Sequence, residues 1–200
     1  MDRTILGDVY RYWFGTLSGP DDYPADKAEI WFKQSDATDA HIRTTFGAAI
    51  PAATAVKWDV AELSREEQVG LVILLDQFPR NIFRTSGEVF SYDAKARTIA
   101  RLLLDLGRER FFRVERGFLY LPFEHSEDIA DQDYSVFLYA EDAVSAPEAW
   151  KVTARLYLDF ATKHRDLIRK FGRFPHRNVM LGRSATAEEE AFLKVSGRGY

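Results

Sequence analysis

The sequence predicts an all-α fold, and two observations support that prediction. Apolar residues recur at helical spacing in segment after segment, as Val69, Val72 and Ile73 do. No segment combines sustained alternation of apolar and polar residues with the turn residues of a hairpin. We therefore expect antiparallel helix pairs in one domain spanning residues 1–200, a length that supplies one substantial core.

The individual helices follow from apolar periodicity, from capping residues and from glycine and proline positions. Ser64 with Glu67, and Thr186 with Glu189, have the spacing of capping boxes, and Gly172 stands where a helix ends. We also expect a short helical turn after each Phe-Pro pair. The predicted helices are Thr4 to Phe14, Ala25 to Phe32, Ala37 to Ala49, Arg65 to Gln77, Ala94 to Leu106, Pro122 to Ala140, Glu148 to Phe171 and Ala187 to Lys194.

Composition and charge exclude several classes of protein. The net charge is −4, from 31 acidic and 27 basic residues, whereas nucleic-acid binders carry a basic excess, so no nucleic-acid partner is predicted. The absence of cysteine excludes disulfides, thiolate nucleophiles and cysteine-ligated metals. The longest purely apolar run, Leu71 to Leu75, is too short to span a bilayer, and the N-terminus has no signal-peptide pattern. We therefore expect no membrane association and a cytoplasmic location.

Two segments almost a hundred residues apart have similar sequences, LDQFPRN at Leu75 to Asn81 and GRFPHRN at Gly172 to Asn178. Each places an aromatic residue and a proline beside arginine and asparagine, whose side chains are rich in hydrogen-bond donors. Proline favours the first helical position, so each motif is expected to open a short helix whose N–H groups attract an anion. Packing and capping at helix ends is the alternative explanation of both motifs.

Three blocks carry a family resemblance: LLDQFPRNIFR at Leu74 to Arg84, YLPFEHSED at Tyr120 to Asp128, and KFGRFPHRNVMLGRSAT at Lys170 to Thr186. Together they resemble the signature blocks of a bacterial domain-of-unknown-function family, DUF924, and the resemblance covers essentially the whole chain. It implies an all-helical fold similar to tetratricopeptide-like folds. It implies no reaction.

Several polar residues interrupt apolar helix faces. His164 lies between Phe160 and Leu167 in an apolar stripe, Glu127 falls on the inward side of the helix predicted after Pro122, and Asp76 ends an apolar helix. A buried charge is costly unless it is paired, so these groups need partners. The available partners are Arg80, Arg173, Arg177, Arg183, His125, His164 and His176. We therefore expect the three blocks to converge, either in a functional site or in a network that only fixes helix register.

Specific catalytic arrangements are weakly supported. His125, Ser126 and Glu127 are adjacent, and adjacent residues of a helix point about 100° apart, so they do not form a triad. His125, Glu127, His164 and Asp76 include suitable metal ligands, but no pair has metal-binding spacing, and no metal is predicted. The sequence contains neither a Walker loop nor G-x-G-x-x-G, so no nucleotide cofactor is assigned. Acid–base chemistry by a buried carboxylate beside a histidine is compatible with the sequence.

The leading hypothesis is a pocket for a small anionic metabolite that carries phosphate or carboxylate. The residues expected to hold or orient the anion are Arg80, Asn81, Arg173, His176, Arg177 and Asn178, and the proton-transfer candidates are Asp76, His125 and Glu127. The rival hypothesis is a helical scaffold that binds a protein partner in a groove, which a tetratricopeptide-like fold would favour.

Overall fold

A computed structural model describes residues 1–196, and every element of regular structure in that range is helical. The α-helices are α1 Thr4–Phe14, α2 Ala28–Phe32, α3 Asp36–Phe46, α4 Ala49–Ala55, α5 Arg65–Ile82, α6 Asp93–Asp105, α7 Arg113–Glu124, α8 Ile129–Val144, α9 Lys151–Phe171 and α10 Ala187–Ser196. Short 3₁₀ turns connect several of them. The all-α prediction is confirmed, whereas the tetratricopeptide-like arrangement stays a prediction.

The chain divides into two compact units. Unit 1 consists of Met1–Arg84 and Glu88–Pro122, and unit 2 consists of Thr85–Gly87 and the chain from Phe123 onward. The division falls inside α7, between Pro122 and Phe123. The expectation of one domain over residues 1–200 stays a prediction.

Unit 1 is built around α5, which is buried along most of its length. Helix α1 packs so closely on α5 that a Cβ atom added to Gly70 would lie 2.1 Å from the Leu6 carbonyl oxygen. Only glycine permits such an approach of two helix backbones. Further along α1 and α5, aromatic rings of α1, α2, α5 and α7 pack against one another, namely Trp13, Phe14, Trp31, Phe78 and Phe118.

Several local signals give the helix ends that the sequence predicts. Helix α1 has the predicted bounds, and α5 begins at Arg65 behind a complete Ser64–Glu67 capping box. At α10 the Thr186 hydroxyl accepts from the Glu189 N–H, and the Glu189 carboxylate accepts from the Thr186 N–H. Gly172 ends α9 with φ of 68°, in the left-handed region that glycine adopts readily.

The prediction that Pro79 opens a short helix is wrong. Pro79 lies inside α5, which continues to Ile82, whereas Pro175 does open a 3₁₀ turn, Pro175–Arg177. Proline inside a helix removes one backbone hydrogen bond. Phe78 and Ile82, buried on either side of it, contribute packing that offsets this loss.

Two predicted helices are each divided in the structure. The segment Ala37 to Ala49 contains all of α3 except its first residue, the break at residues 47–48, and only the first residue of α4. The segment Pro122 to Ala140 contains the end of α7 and most of α8, separated by residues 125–128. Asp128 caps α8, because its carboxylate accepts from the Ala130 N–H at 2.8 Å. The buried Gln132 side chain satisfies the end of α7 by donating to the Glu124 and Ser126 carbonyls.

In unit 2, α8 and α9 pack antiparallel, since Asp133 bonds to Arg169 and Tyr139 contacts Tyr157. The predicted inward face of α9 is only partly correct. Its buried residues include Ala154, Ala161 and Ile168, whereas the residues predicted to be inward in its first half, Val152, Leu156 and Phe160, are exposed. Helix α9 therefore has two apolar faces, and periodicity alone does not distinguish the buried one.

Candidate functional site

The first block lies in unit 1, where Arg80 is held by two carboxylates. Its guanidinium donates to both Asp93 oxygens, at 2.9 and 3.1 Å, and lies 3.6 Å from Asp76 Oδ1. Asp76 is fully buried and also accepts from the Gln77 side chain at 2.6 Å. Burial acts to lower the pKa of Arg80, but Asp76 and Asp93 outweigh it and raise the pKa. Arg80 therefore stays charged and joins α5 to the start of α6.

Asn81, in the same block, belongs to a different contact. Its side-chain amide donates to Asp39 Oδ1 at 2.8 Å, and Arg84 bonds to both Asp39 oxygens. Burial acts to raise the pKa of Asp39, but the bonds from Arg84 and Asn81 lower it overall. Asn81 and Arg84 thus connect the end of α5 to α3.

The second and third blocks meet within unit 2 at Glu127. One Glu127 oxygen accepts from the Phe174 N–H at 2.8 Å, and both oxygens accept from the Arg183 guanidinium, at 2.7 and 3.0 Å. These bonds lower the pKa of Glu127 although its partial burial opposes them. The carboxylate therefore stays ionised, and it lies in the loop after α7 rather than on a helix as predicted.

Ser126 stabilises the same loop. Its hydroxyl donates to Asp131 at 2.8 Å and accepts from the Asp128 N–H at 3.2 Å. His125, Ser126 and Glu127 were predicted to lie on a helix, where adjacent side chains do not form a triad. That prediction is wrong, because the three residues lie in the loop. The conclusion still holds, since the Ser126 hydroxyl donates to a carboxylate and not to a histidine.

Three side chains contact the buried Phe174 ring, namely His164, His176 and Arg177, and together with His125 we call them the histidine cluster. The ring centroid of Phe174 lies 5.6 Å from that of His164 and 5.5 Å from that of His176. The Arg177 guanidinium carbon lies 4.4 Å from the Phe174 centroid, as a cation–π contact requires. His125 is close enough to act electrostatically on both His164 and His176.

His164 contacts a carboxylate that the sequence analysis did not single out. Its Nδ1 atom lies 3.0 Å from Glu124 Oε1 and 2.9 Å from the Phe160 carbonyl oxygen. Burial lowers the pKa of His164 to about 4, and His125, Arg177 and His176 act in the same direction. At neutral pH the ring is therefore uncharged, and two oxygens at Nδ1 favour the tautomer with the proton on that atom.

His176 is uncharged for similar reasons. Burial lowers its pKa to about 4, and Arg177 adds to the effect, whereas Glu127 opposes it. The buried Nδ1 atom of His176 has no hydrogen-bond partner among the described residues. The cluster thus contains two neutral histidines beside Arg177 and a buried nitrogen that can accept or donate one further hydrogen bond.

Arg173 and Asn178 have partners outside the histidine cluster. Arg173 bonds to both Glu189 oxygens at 2.6 and 2.8 Å, so it connects the end of α9 to the start of α10. The Asn178 side-chain oxygen accepts from Arg183 Nε at 3.0 Å. The structure therefore brings His125, His176 and Arg177 together, whereas Asp76, Arg80 and Asn81 lie in unit 1 and Arg173 pairs with α10.

Sequence reasoning missed four carboxylates that complete these contacts, namely Asp39, Asp93, Glu124 and Glu189. Glu124 stands directly before His125 in the second block, so its position was a usable signal. Glu189 was recognised for its capping box, but not as the partner of Arg173. Asp39 and Asp93 lie outside all three blocks, and no local pattern marks them.

Within residues 1–196, no group of three or more histidine, aspartate or glutamate side chains is arranged to hold a metal ion. None of the helices in the same range is both long enough and apolar enough to cross a membrane.

The fold and the site define an all-helical protein whose sequence blocks form buried ion pairs and a histidine cluster. A family model described as bacterial protein of unknown function, DUF924, matches residues 9–197, and the chain belongs to that family. A solved structure of a protein of unknown function from Agrobacterium tumefaciens is similar, with a TM-score of 0.79 and 32% sequence identity over 97% of this chain and 99% of that one. No curated protein sequence matches the chain.

Proposed function

We propose that the histidine cluster binds a small metabolite that carries a phosphate or carboxylate group. The supporting observation is that His164, His176 and Arg177 contact one ring and that His125 acts electrostatically on both histidines, while the adjacent carboxylate Glu127 is already bonded to Arg183 and to the Phe174 N–H. The Arg177 guanidinium supplies a charge-assisted hydrogen bond to an anion, and the neutral imidazoles can add further hydrogen bonds to it.

The residues have distinct roles in this proposal. Arg177 supplies the fixed positive charge, and His176 supplies the buried Nδ1 atom that has no partner in the described part of the chain. Asn178 follows Arg177 directly and orients the segment through its bond from Arg183. Arg80, Asn81 and Arg173 are bonded to carboxylates, so we assign them to the framework and not to the ligand.

The contact between Glu124 and His164 is a candidate for proton transfer. A carboxylate at 3.0 Å from an imidazole nitrogen can exchange a proton with it or orient it. Glu127 is less suited to this role, because Arg183 and the Phe174 N–H hold its carboxylate in the ionised form. In the proposal, His125 and the Glu124–His164 contact therefore take the acid–base role, and Asp76 supports Arg80.

Anion-dependent thermal stability tests the proposal. At about 100 times its dissociation constant, a ligand stabilises the native state by about 2.7 kcal/mol, which raises the melting temperature of a chain of this size by roughly 5–10 °C. We expect this shift for phosphate or for members of a panel of phosphorylated and carboxylated metabolites. His176→Gln and Arg177→Gln should reduce it at matched ionic strength.

The matched control is His41→Gln, which makes the same change at an exposed histidine of unit 1. It should retain the full shift. Because sulfate and phosphate also stabilise proteins by exclusion from their surfaces, the difference between variants is the quantity that counts. Equal shifts in wild type and in all three variants would contradict an anion site in the histidine cluster.

A groove in unit 1 supports the second candidate function, binding of a protein partner. It has a volume of about 660 Å³, and its apolar lining includes Trp58, Leu102 and Leu106. Such a groove suits the apolar face of an amphipathic helix. Selection from a displayed library of helical peptides tests it: sequences that bind wild type and lose binding to Leu102→Arg support this function, and equal binding to both proteins argues against it.

A further inference from the structure

Helix α9 carries an apolar stripe that the other described residues of unit 2 leave exposed. Val152, Leu156 and Phe160 follow one another at four-residue spacing, and they are 80%, 49% and 39% exposed. The opposite side of the helix, with Ala154 and Ala161, is buried. Removal of apolar surface from water is favourable by roughly 25 cal/mol per Å². A partner that covers the stripe therefore lowers the free energy of the complex.

The charges beside the stripe indicate which partner. Arg155 and Asp159, both exposed, form the adjacent ridge of the helix and flank Leu156 with opposite signs. Asp159 bonds to Lys163 at 2.7 Å within its own helix and is still half exposed. When two copies of this ridge run in opposite directions, the positive residue of each copy lies near the negative residue of the other. The ridge is therefore complementary to a second copy of itself.

We infer that this face of α9 pairs with the same face of α9 in a second copy of the chain, across a twofold axis at Leu156. Reversal of direction places Val152 of each copy beside Phe160 of the other, and Arg155 near Asp159. Residues spaced by four form the ridges that interdigitate in the commonest class of helix packing. A twofold contact of this kind is closed, so it yields a dimer and not a filament.

The expected dimer is weak. Three apolar side chains and two charged residues cover much less than the roughly 800 Å² per partner of a standard stable interface. We expect monomers at about 10 μM and a substantial dimer fraction near 1 mM, which sedimentation equilibrium or concentration-dependent small-angle scattering detects.

Substitutions in the stripe test the dimer directly. Leu156→Glu should weaken dimerisation at least tenfold, because it places two carboxylates on the axis. Val144→Glu makes a similar change at a residue of α8 that is 87% exposed and lies outside the stripe, and it should leave the dimer unchanged. Circular dichroism verifies that each variant is folded.

A charge exchange tests the orientation. Arg155→Glu should weaken the dimer, and the double variant Arg155→Glu with Asp159→Arg should restore it, because the opposite charges again face each other across the axis. A monomeric wild type at 1 mM, equal dimerisation of wild type and Leu156→Glu, or no recovery in the double variant would overturn the inference.

Discussion

At the scale of single residues, some charged groups pair with a partner nearby in the sequence and others with a partner far away. Asp76 contacts Arg80 one helical turn further along α5, and Asp93 completes that contact from 13 residues away. Glu127 instead bonds to Arg183, which is 56 residues away in the sequence. The first kind of contact is readable from helix spacing, because residues four apart share a face. The second kind depends on the tertiary fold, which determines whether two distant segments of the chain come into contact.

The buried position of Asp76 leads to a prediction about stability. Asp76→Ala should lower the free energy of unfolding by about 3 kcal/mol, because removal of one partner of a buried ion pair leaves a charge uncompensated. Asp93 still bonds to Arg80 in the variant, so we expect the lower end of the usual range. Urea denaturation measures the change. A loss within about 0.5 kcal/mol, typical of surface substitutions, would show that Asp76 does not stabilise Arg80.

At the scale of elements, close helix contacts determine what each helix tolerates. Gly70 lies where α5 meets α1, and a side chain there would collide with the backbone of Leu6. Gly7 lies on α1 itself, where a Cβ atom would meet only the Arg11 side chain at 3.4 Å. The two glycines look alike in sequence, but only the first permits a close approach of two backbones.

These glycines provide a matched pair of variants. Gly70→Ala should destabilise the protein by about 1–3 kcal/mol, because α1 and α5 must separate to admit the methyl group. Gly7→Ala should be neutral or stabilising by up to about 1 kcal/mol, because alanine favours a helix over glycine. Chemical denaturation of both variants beside wild type measures the difference. Equal effects in the two variants would contradict the close α1–α5 contact.

At the scale of the whole molecule, titratable groups make stability depend on pH. The pKa of His164 and that of His176 are both lowered from 6.5 to about 4. Between these values the unfolded chain binds protons that the native state does not, so stability falls as pH decreases from 6.5 toward 4. Bonds from Arg173 and from the Thr186 N–H lower the pKa of Glu189 to about 2, so its contribution is lost below about pH 4.5.

The histidines should therefore dominate acid destabilisation between pH 6.5 and 5. His164→Gln and His176→Gln should each flatten the dependence of the urea midpoint on pH in that window, whatever their effect at pH 7.5. His41→Gln serves as the exposed control and should leave the slope as in wild type. Wild-type stability that is constant from pH 7 to 5 would contradict neutral histidines in the native state.

The sequence by itself determined the all-α class, the bounds of α1, the capping boxes at Ser64 and Thr186 and the end of α9 at Gly172. Each of these depends on residues within one or two helical turns, so the physical cause lies in the local sequence. The same is true of the burial of Asp76, which shares a face of α5 with apolar residues.

Only the tertiary structure decided which partner each charge takes and which apolar face of α9 is buried. No local sequence pattern identifies the partner of each acidic residue. Packing places Asp93 at Arg80, Glu124 at His164, and Glu189 at Arg173. Pro79 stays within a helix because buried neighbours offset its missing hydrogen bond. These outcomes depend on contacts between residues far apart in the chain, and a sequence pattern with a period of one helical turn contains no information about them.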